Sequence, residues 1–175
     1  MNLHEMLAES ITAACREVFS AMLGVEIERG QADLENTAPD ANDGVVSLVG
    51  LAGSWTGTGS VACSPAVACR ICSHFLLTEF DAVNEEVLDA VAELTNIIIG
   101  SVKTDLEQQL GPLGISIPTV IYGRNFKTRS MGAQWTTVRF NWDGAELLVR
   151  MALAPTQPSS HARTYTAVHA WPPEL

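Results

Sequence analysis

The feature that most constrains this chain is a long amphipathic pattern that begins at Asn84 and stops at Gly111-Pro112. Asn84 is of a residue type that caps helices, and the acidic Glu85 and Glu86 complement the dipole of a first helical turn. Apolar residues then recur at helical spacing for about 25 residues, which is long for a globular helix. The pattern predicts one dominant helix whose apolar face must pack against a second layer.

Two more helices and six strands are predicted around this helix. Helical spacing favours helices at 3–23 and 66–77, the second opened by Ser64-Pro65. The predicted strands are 25–28, 45–51, 55–62, 118–126, 134–142 and 146–154. Asp143-Gly144 is a tight hairpin signal, and we expect the last three strands to form a meander. This order predicts an α+β fold, a mostly antiparallel sheet with helices packed on one face.

The length of the chain and the positions of its loop-forming stretches predict a single folded domain. A chain of 175 residues with 47% hydrophobic and 17% charged residues can bury a proper core. We expect the domain to span residues 1–154, with residues 30–44 as a surface loop and residues 155–175 as a weakly constrained tail.

The charge balance excludes several classes of partner. Twenty acidic residues against ten basic ones give a formal net charge of −10, which opposes attraction to nucleic acid or to anionic lipid. Residues 1–110 hold 17 acidic and four basic side chains. The chain begins without a signal-peptide pattern, and no segment has the roughly 18 consecutive apolar residues of a spanning helix. We therefore expect a cytoplasmic protein that binds neither nucleic acid nor a membrane.

A polar stripe runs along the long helix. At about 100° per residue, Glu93, Asn96, Gly100 and Lys103 lie within about 40° of Asp89 on the helical projection. An exposed helix face is usually filled with strong helix formers, yet Asn96 is a mediocre one and Gly100 costs about 1 kcal/mol relative to alanine. An ordinary solvated face remains one interpretation; the other is a docking surface with a carboxylate and an amide at i, i+3.

The segment from Val87 to Asp105, with its Asp89-x-x-x-Glu93-x-x-Asn96 motif, resembles the signature helix of the CheC/CheX response-regulator phosphatases. The likeness covers roughly residues 5–153 and includes the stretches 19–30, 59–64 and 115–121. Pro118 follows Asn96 one residue closer than the family pattern places it. The first helix has Ala14 and Glu17 where CheC-type members repeat Glu and Asn, so the resemblance is to CheX, with one signature helix.

The resemblance implies a CheC/CheX-like fold and hydrolysis of the aspartyl phosphate of a CheY-like receiver domain. It implies that Asn96 positions the attacking water and that Glu93 pairs with a lysine of the docked receiver, while Asp89 and Gly100 belong to the partner-binding surface. The receiver brings its own Mg²⁺, so the chain is expected to need no metal or other cofactor. The family also implies a homodimer built by edge strands.

Two other functions remain open from the sequence. One is a non-catalytic adaptor of the same fold that binds a receiver or a flagellar-switch component, although the presence of both Glu93 and Asn96 argues against it. The other is that the resemblance stops at the fold and the acidic surface binds an unrelated basic protein.

Several further motifs favour structural roles. Cys69-x-x-Cys72 follows a helix start at Ser64-Pro65, whereas redox motifs of this kind open their helix. His74 points some 200° away from Cys72, which disfavours zinc, so we expect packed thiols. The glycines of residues 53–59 lack the lysine of a P-loop and predict a hairpin turn. For His4, His161 and His169, which accompany no nucleophile motif, we expect surface positions.

Overall fold

The computed structural model of this chain describes residues 2–35, 42–126 and 134–156. Its elements alternate in an α+β order. In chain order they are α1 (Leu3–Val18), a π-helical turn (Phe19–Leu23), β1 (Glu28–Glu35), β2 (Asn42–Gly53), β3 (Trp55–Cys63), α2 (Pro65–Leu76), α3 (Glu85–Leu110), β4 (Leu113–Ile115), β5 (Thr119–Phe126), β6 (Trp135–Trp142) and β7 (Ala145–Pro155).

All seven strands belong to one antiparallel sheet. Its order is β1-β6-β7-β3-β2-β4, and β5 also pairs with β2. The registers align Val61, Val149 and Val138 across the centre of the sheet, and all three side chains are buried on the side that the helices cover. α3 packs over β2 and β3, α1 packs over β6, and both α1 and α2 contact α3. The predicted α+β fold with helices on one face is confirmed.

The helix starts and ends are the best-predicted boundaries. Ser64 caps α2 by accepting a hydrogen bond from the backbone N–H of Val67, as the Ser64-Pro65 signal predicts. Gly24 ends the first helical segment in the left-handed conformation, with φ of 67°. The segment predicted as one helix over 3–23 closes in a π-helical turn, so its last five residues are wound more loosely than an α-helix.

The prediction for the region after Gly24 was wrong. The strand lies at Glu28–Glu35 and so occupies residues 30–35 of the segment 30–44 that the sequence indicated as a loop. β2 begins at Asn42, also within that segment, and residues 36–41 lie outside the described residues. β1 is rich in charge and shows no apolar alternation, because it is an edge strand stabilised by backbone pairing with β6. Arg139 of β6 also contacts Asp33 and Glu35 of β1 at 3.4 and 3.7 Å.

The predicted meander of the last three strands was also wrong. β6 and β7 form the predicted hairpin, with Asp143 and Gly144 at positive φ in its turn. β5, however, pairs with β2 at the opposite edge of the sheet. The short β4 was not predicted, and it extends the same edge by pairing with the end of β2. Which strand β5 pairs with depends on where the chain emerges after α3. Local sequence patterns do not contain that information.

The end of the described chain stays attached to the sheet. β7 runs to Pro155, and Thr156 donates its backbone N–H to the carbonyl of Ser54. The rest of the expected tail, residues 157–175, lies outside the described residues. No helix among the described residues has the length and apolar character required to cross a membrane.

Candidate functional site on the long helix

Local capping residues define where α3 begins and where it ends. Asn84 accepts a hydrogen bond from the backbone N–H of Val87 at 2.9 Å, and Glu85 and Glu86 lie in the first turn. At the other end Gly111 adopts a φ of 81°, and its N–H donates to the carbonyl of Glu107. The helix spans 26 residues, which matches the prediction of about 25.

The apolar face of α3 fixes which side of the helix remains open. This face is fully buried and includes Val87, Val91, Leu94, Ile98 and Val102. Ile99 packs onto β3 at Gly59, where a methyl group on the glycine would come within 2.9 Å of the isoleucine side chain. This close contact sets the height of α3 above the sheet and the direction of its polar stripe.

The stripe residues have the predicted arrangement on the surface. Asp89 and Glu93 are exposed, whereas Asn96, Gly100 and Lys103 are half-buried. Within the described residues, no side-chain hydrogen bond or ion pair engages Asp89, Glu93 or Asn96. The carboxylate of Glu93 and the amide of Asn96 are thus available to another molecule. Their spacing of three residues directs both side chains to the same side of the helix.

The C-terminal end of the stripe is tied to β4 by Glu107, a residue that the sequence analysis missed. Glu107 lies 18 residues after Asp89, five full turns along the helix. Its carboxylate accepts hydrogen bonds from the backbone N–H of Leu113 at 2.8 Å and from Lys103 at 2.9 Å, and these bonds lower the pKa of Glu107. The i, i+4 spacing of Lys103 and Glu107 was the available sequence signal. Lys103 is therefore held within its own helix.

Gly100 faces the short strand β4. A methyl group on Gly100 would meet only the Cδ1 atom of Ile115, at an ordinary contact distance of 3.8 Å. The fold itself thus has room for alanine at this position, in contrast to Gly59. The glycine is better explained by what approaches the stripe from outside than by packing within the chain.

The stripe is an open surface and not a cavity. A cavity of about 500 Å³ lies elsewhere, at the start of α1, where Leu7, Leu34 and Leu153 are among its lining residues. An open polar surface beside a helix suits a macromolecular partner better than a small ligand, which is usually enclosed on most sides.

The cysteines behave as packed thiols. All four are buried, and burial raises the pKa of Cys63 to about 12. Burial also raises the pKa of Cys69 and of Cys72, whose thiol donates to the carbonyl of Glu86. A redox thiol needs the opposite shift. Across residues 2–35, 42–126 and 134–156, no group of three or more His, Cys, Asp and Glu side chains is arranged to hold a metal ion.

Two of the remaining motifs, the glycines of residues 53–59 and His4, lie in described parts of the chain. The glycines of residues 53–59 belong to the β2–β3 hairpin, as predicted. His4 was predicted at the surface, but it is half-buried and its Nδ1 atom lies 2.9 Å from the hydroxyl of Thr136. His161 and His169 lie outside the described residues.

Comparisons with known proteins agree with this architecture. The family described as "Chemotaxis phosphatase CheX" matches residues 45–141, more than half of the chain, and the match includes the whole of α3. The CheY-P phosphatase CheX of Thermotoga maritima is 24% identical over 127 residues, which cover 72% of this chain and 81% of that protein.

Two solved structures share the fold over most of their length. The chemotaxis protein CheX of Vibrio vulnificus has a TM-score of 0.76 at 21% identity, covering 85% of this chain and 99% of that one. A chain in the CheX–CheY–BeF3–Mg²⁺ complex of Borrelia burgdorferi has a TM-score of 0.71 at 32% identity, covering 83% and 96%. The chain therefore belongs to the CheX family of chemotaxis phosphatases.

Proposed function

We propose that this protein hydrolyses the aspartyl phosphate of a CheY-like receiver domain, with Asn96 and Glu93 as its working pair. The observation that carries the proposal is the display of an unengaged carboxylate and an unengaged amide, three residues apart, on the open face of α3. Membership of a phosphatase family supports the chemistry. The Borrelia burgdorferi relative, solved in complex with CheY, supports a receiver as the partner.

Hydrolysis of an aspartyl phosphate depends more on the position of the attacking water than on proton transfer. An aspartyl phosphate is an acyl phosphate, and its leaving group is a carboxylate that needs little protonation. The reaction is then limited by holding a water in line with the phosphorus while the phosphoryl charge is stabilised. The amide of Asn96 can accept a hydrogen bond from that water and donate one towards the phosphoryl group.

Glu93 needs a cation that the described part of this chain does not offer beside it. Lys103, the basic residue of the stripe, is paired with Glu107 at 2.9 Å. In this proposal a lysine of the receiver pairs with Glu93 and fixes the docked pose. Asp89 accepts a hydrogen bond from the partner one turn earlier, and Gly100 leaves room for the partner's backbone. The Mg²⁺ ion belongs to the receiver, and this chain supplies no ligand to it.

The test is phosphate release from a phosphorylated receiver, measured over a range of receiver concentrations. Asn96→Ala should lower kcat about a hundredfold or more, because the water loses its orientation. Glu93→Ala should raise KM for the receiver and also lower kcat, because the pose is less well fixed. The helix offers matched controls in Asp105→Ala and Gln108→Ala, an exposed carboxylate and an exposed amide with the same i, i+3 spacing. Both lie 12 residues further along, about 18 Å away.

The outcomes separate the proposal from its rivals. Loss of activity in the first pair of variants, with full activity in the control pair, supports the assigned roles. Unchanged activity in Asn96→Ala and Glu93→Ala would contradict the site. If the wild-type protein binds a beryllofluoride-activated receiver but does not accelerate phosphate release, the protein is an adaptor and the proposed reaction is wrong.

We also propose that the protein is a homodimer built by an edge strand, and that β5 is the edge it uses. β1 forms the other edge, but it carries four charged residues, which discourage pairing with a second strand. β5 contains the uncharged run Val120-Ile121-Tyr122, and its one charged residue is Arg124. A row of unpaired backbone groups with β-branched side chains favours strand addition.

A further inference from the structure

An isoleucine beside the stripe is exposed without an evident structural reason. Ile117, in the connection between β4 and β5, is 87% exposed. Large aliphatic side chains are stabilised by burial, and a singly exposed one is informative where it adjoins a functional surface.

The connection that carries Ile117 is rigidly held. Ser116 donates its backbone N–H to the carbonyl of Gly50 at 2.9 Å, and the N–H of Gly50 donates to the hydroxyl of Ser116 at the same distance. The hydroxyl of Ser116 in turn donates to the carbonyl of Ile117 at 2.9 Å. Ile117 therefore follows a residue, Ser116, that is bonded to both the N–H and the carbonyl of Gly50 in β2.

Two contacts locate Ile117 relative to Asn96. The helix α3 and the segment that follows it run in opposite directions, since Glu107 meets Leu113 and Gly100 faces Ile115. From the second contact, Ile117 lies two residues onward, about 6.6 Å along an extended chain. Asn96 lies four residues back, about 6 Å along the helix in the same direction. By this extrapolation Ile117 lies about level with Asn96 along the axis of α3, on the side of the helix that faces β4.

We propose that Ile117 is the apolar anchor by which the phosphorylated receiver docks beside Glu93 and Asn96. This inference rests on the proposed function. Hydrolysis by positioning requires a partner held to within about 1 Å, and solvent-exposed carboxylates alone give weakly bound, salt-screened contacts. Protein interfaces obtain most of their affinity from a few apolar or aromatic anchors seated in pockets of the partner.

The charges around Ile117 indicate the surface that it meets. Asp89 and Glu93 present two carboxylates without a cation partner among the described residues. The complementary surface therefore combines basic groups for these carboxylates with an apolar depression for Ile117. In the proposed complex, both features border the aspartyl phosphate of the receiver. Ile117 acts in binding and contacts no reacting atom.

The experiment compares Ile117→Ser with Leu77→Ser, a matched control. Leu77 is 90% exposed and follows α2 as its C-terminal cap residue, so the two substitutions remove similar exposed aliphatic surface at different sites. The affinity for a beryllofluoride-activated receiver and the kcat and KM for the phosphorylated receiver are measured for both. Ile117→Ser should raise Kd and KM about tenfold or more. Its kcat at saturating receiver should stay within about twofold of wild type, and Leu77→Ser should resemble wild type throughout.

The mass of each variant in solution completes the test. Equal receiver affinities for Ile117→Ser and Leu77→Ser would overturn the inference while leaving the proposed phosphatase activity intact. A reduced kcat at unchanged KM, or a loss of affinity that accompanies a change in oligomeric mass, would also overturn it. If the wild-type protein releases no phosphate but binds the receiver through Ile117, the docking role stands and the proposed function is wrong. A wild-type protein that binds no receiver would overturn both.

Discussion

At position 100 the long helix carries a residue that weakens it. Glycine in a helix interior costs about 0.5–1 kcal/mol relative to alanine, and the packing around Gly100 does not require it. The neighbouring Asn96 is also a poor helix former whose side chain finds no partner among the described residues. Residues that reduce the stability of an element without an internal reason are concentrated where proteins contact other molecules.

Gly100→Ala should separate stability from function. We expect the free energy of unfolding to rise by about 0.5–1 kcal/mol, because the new methyl group meets only Ile115 at 3.8 Å. Phosphate release should fall about tenfold through a higher KM for the receiver, because the methyl group obstructs the approach of the partner. Urea unfolding and steady-state kinetics measure the two effects. A variant that is more stable and fully active would contradict the role assigned to Gly100.

At the scale of elements, the position of α3 depends on a close contact with β3. Ile99 is fully buried against Gly59, and this contact holds the helix low enough for its open face to border β4 and β5. Glu107 then fixes the end of the helix to the backbone of Leu113. The stripe is therefore positioned by packing beneath it and by a hydrogen bond at its end.

Gly59→Ala should have the opposite effect on stability to Gly100→Ala. The new methyl group would come within 2.9 Å of Ile99, so the helix or the side chain must shift. We expect a loss of about 1–3 kcal/mol in the free energy of unfolding, as for other overpacked cores.

The double variant Gly59→Ala/Ile99→Ala provides the control, since truncation of Ile99 removes the clash. The cost of Gly59→Ala should be smaller in that background than in the wild type, as measured by chemical denaturation. Equal costs in the two backgrounds would show that the contact with Ile99 does not determine the need for glycine.

At the scale of the whole molecule, the one sheet has a helical face and, among the described residues, two edges without a further strand. The helical face buries the core and supports the stripe, while β1, with four charged residues, and β5, whose one charged residue is Arg124, lie on opposite sides of the sheet. The edge of a sheet is either protected against pairing with another strand or used for such pairing. The charges of β1 protect its edge, whereas β5 is the edge proposed for pairing.

Ile121→Lys should weaken the proposed dimer by at least about tenfold in its dissociation constant, because strand pairing about a two-fold axis brings like charges close together. Leu34→Lys on β1, at a position that is 45% exposed, is the matched substitution at the other edge. Light scattering after gel filtration over a range of concentrations measures both. If Leu34→Lys weakens the dimer and Ile121→Lys does not, the interface lies at β1. A monomeric wild type would exclude the dimer.

The chain sequence by itself determined the elements whose causes are local. The three helices, the Ser64 and Asn84 caps, the β6–β7 turn and the spacing of Glu93 and Asn96 all follow from short-range rules, because capping groups and helical periodicity act within a few residues. The CheX family match agrees with the resemblance that the signature helix indicates.

Only the tertiary structure decided what depends on pairing between distant segments. β1 is a strand because β6 lies beside it, and β5 lies beside β2 because α3 returns the chain to that edge. The same return places Ile115 next to Gly100 of α3, and no local pattern encodes that neighbourhood. Sequence spacing therefore defined the residues of the stripe, whereas the fold decided what lies beside them.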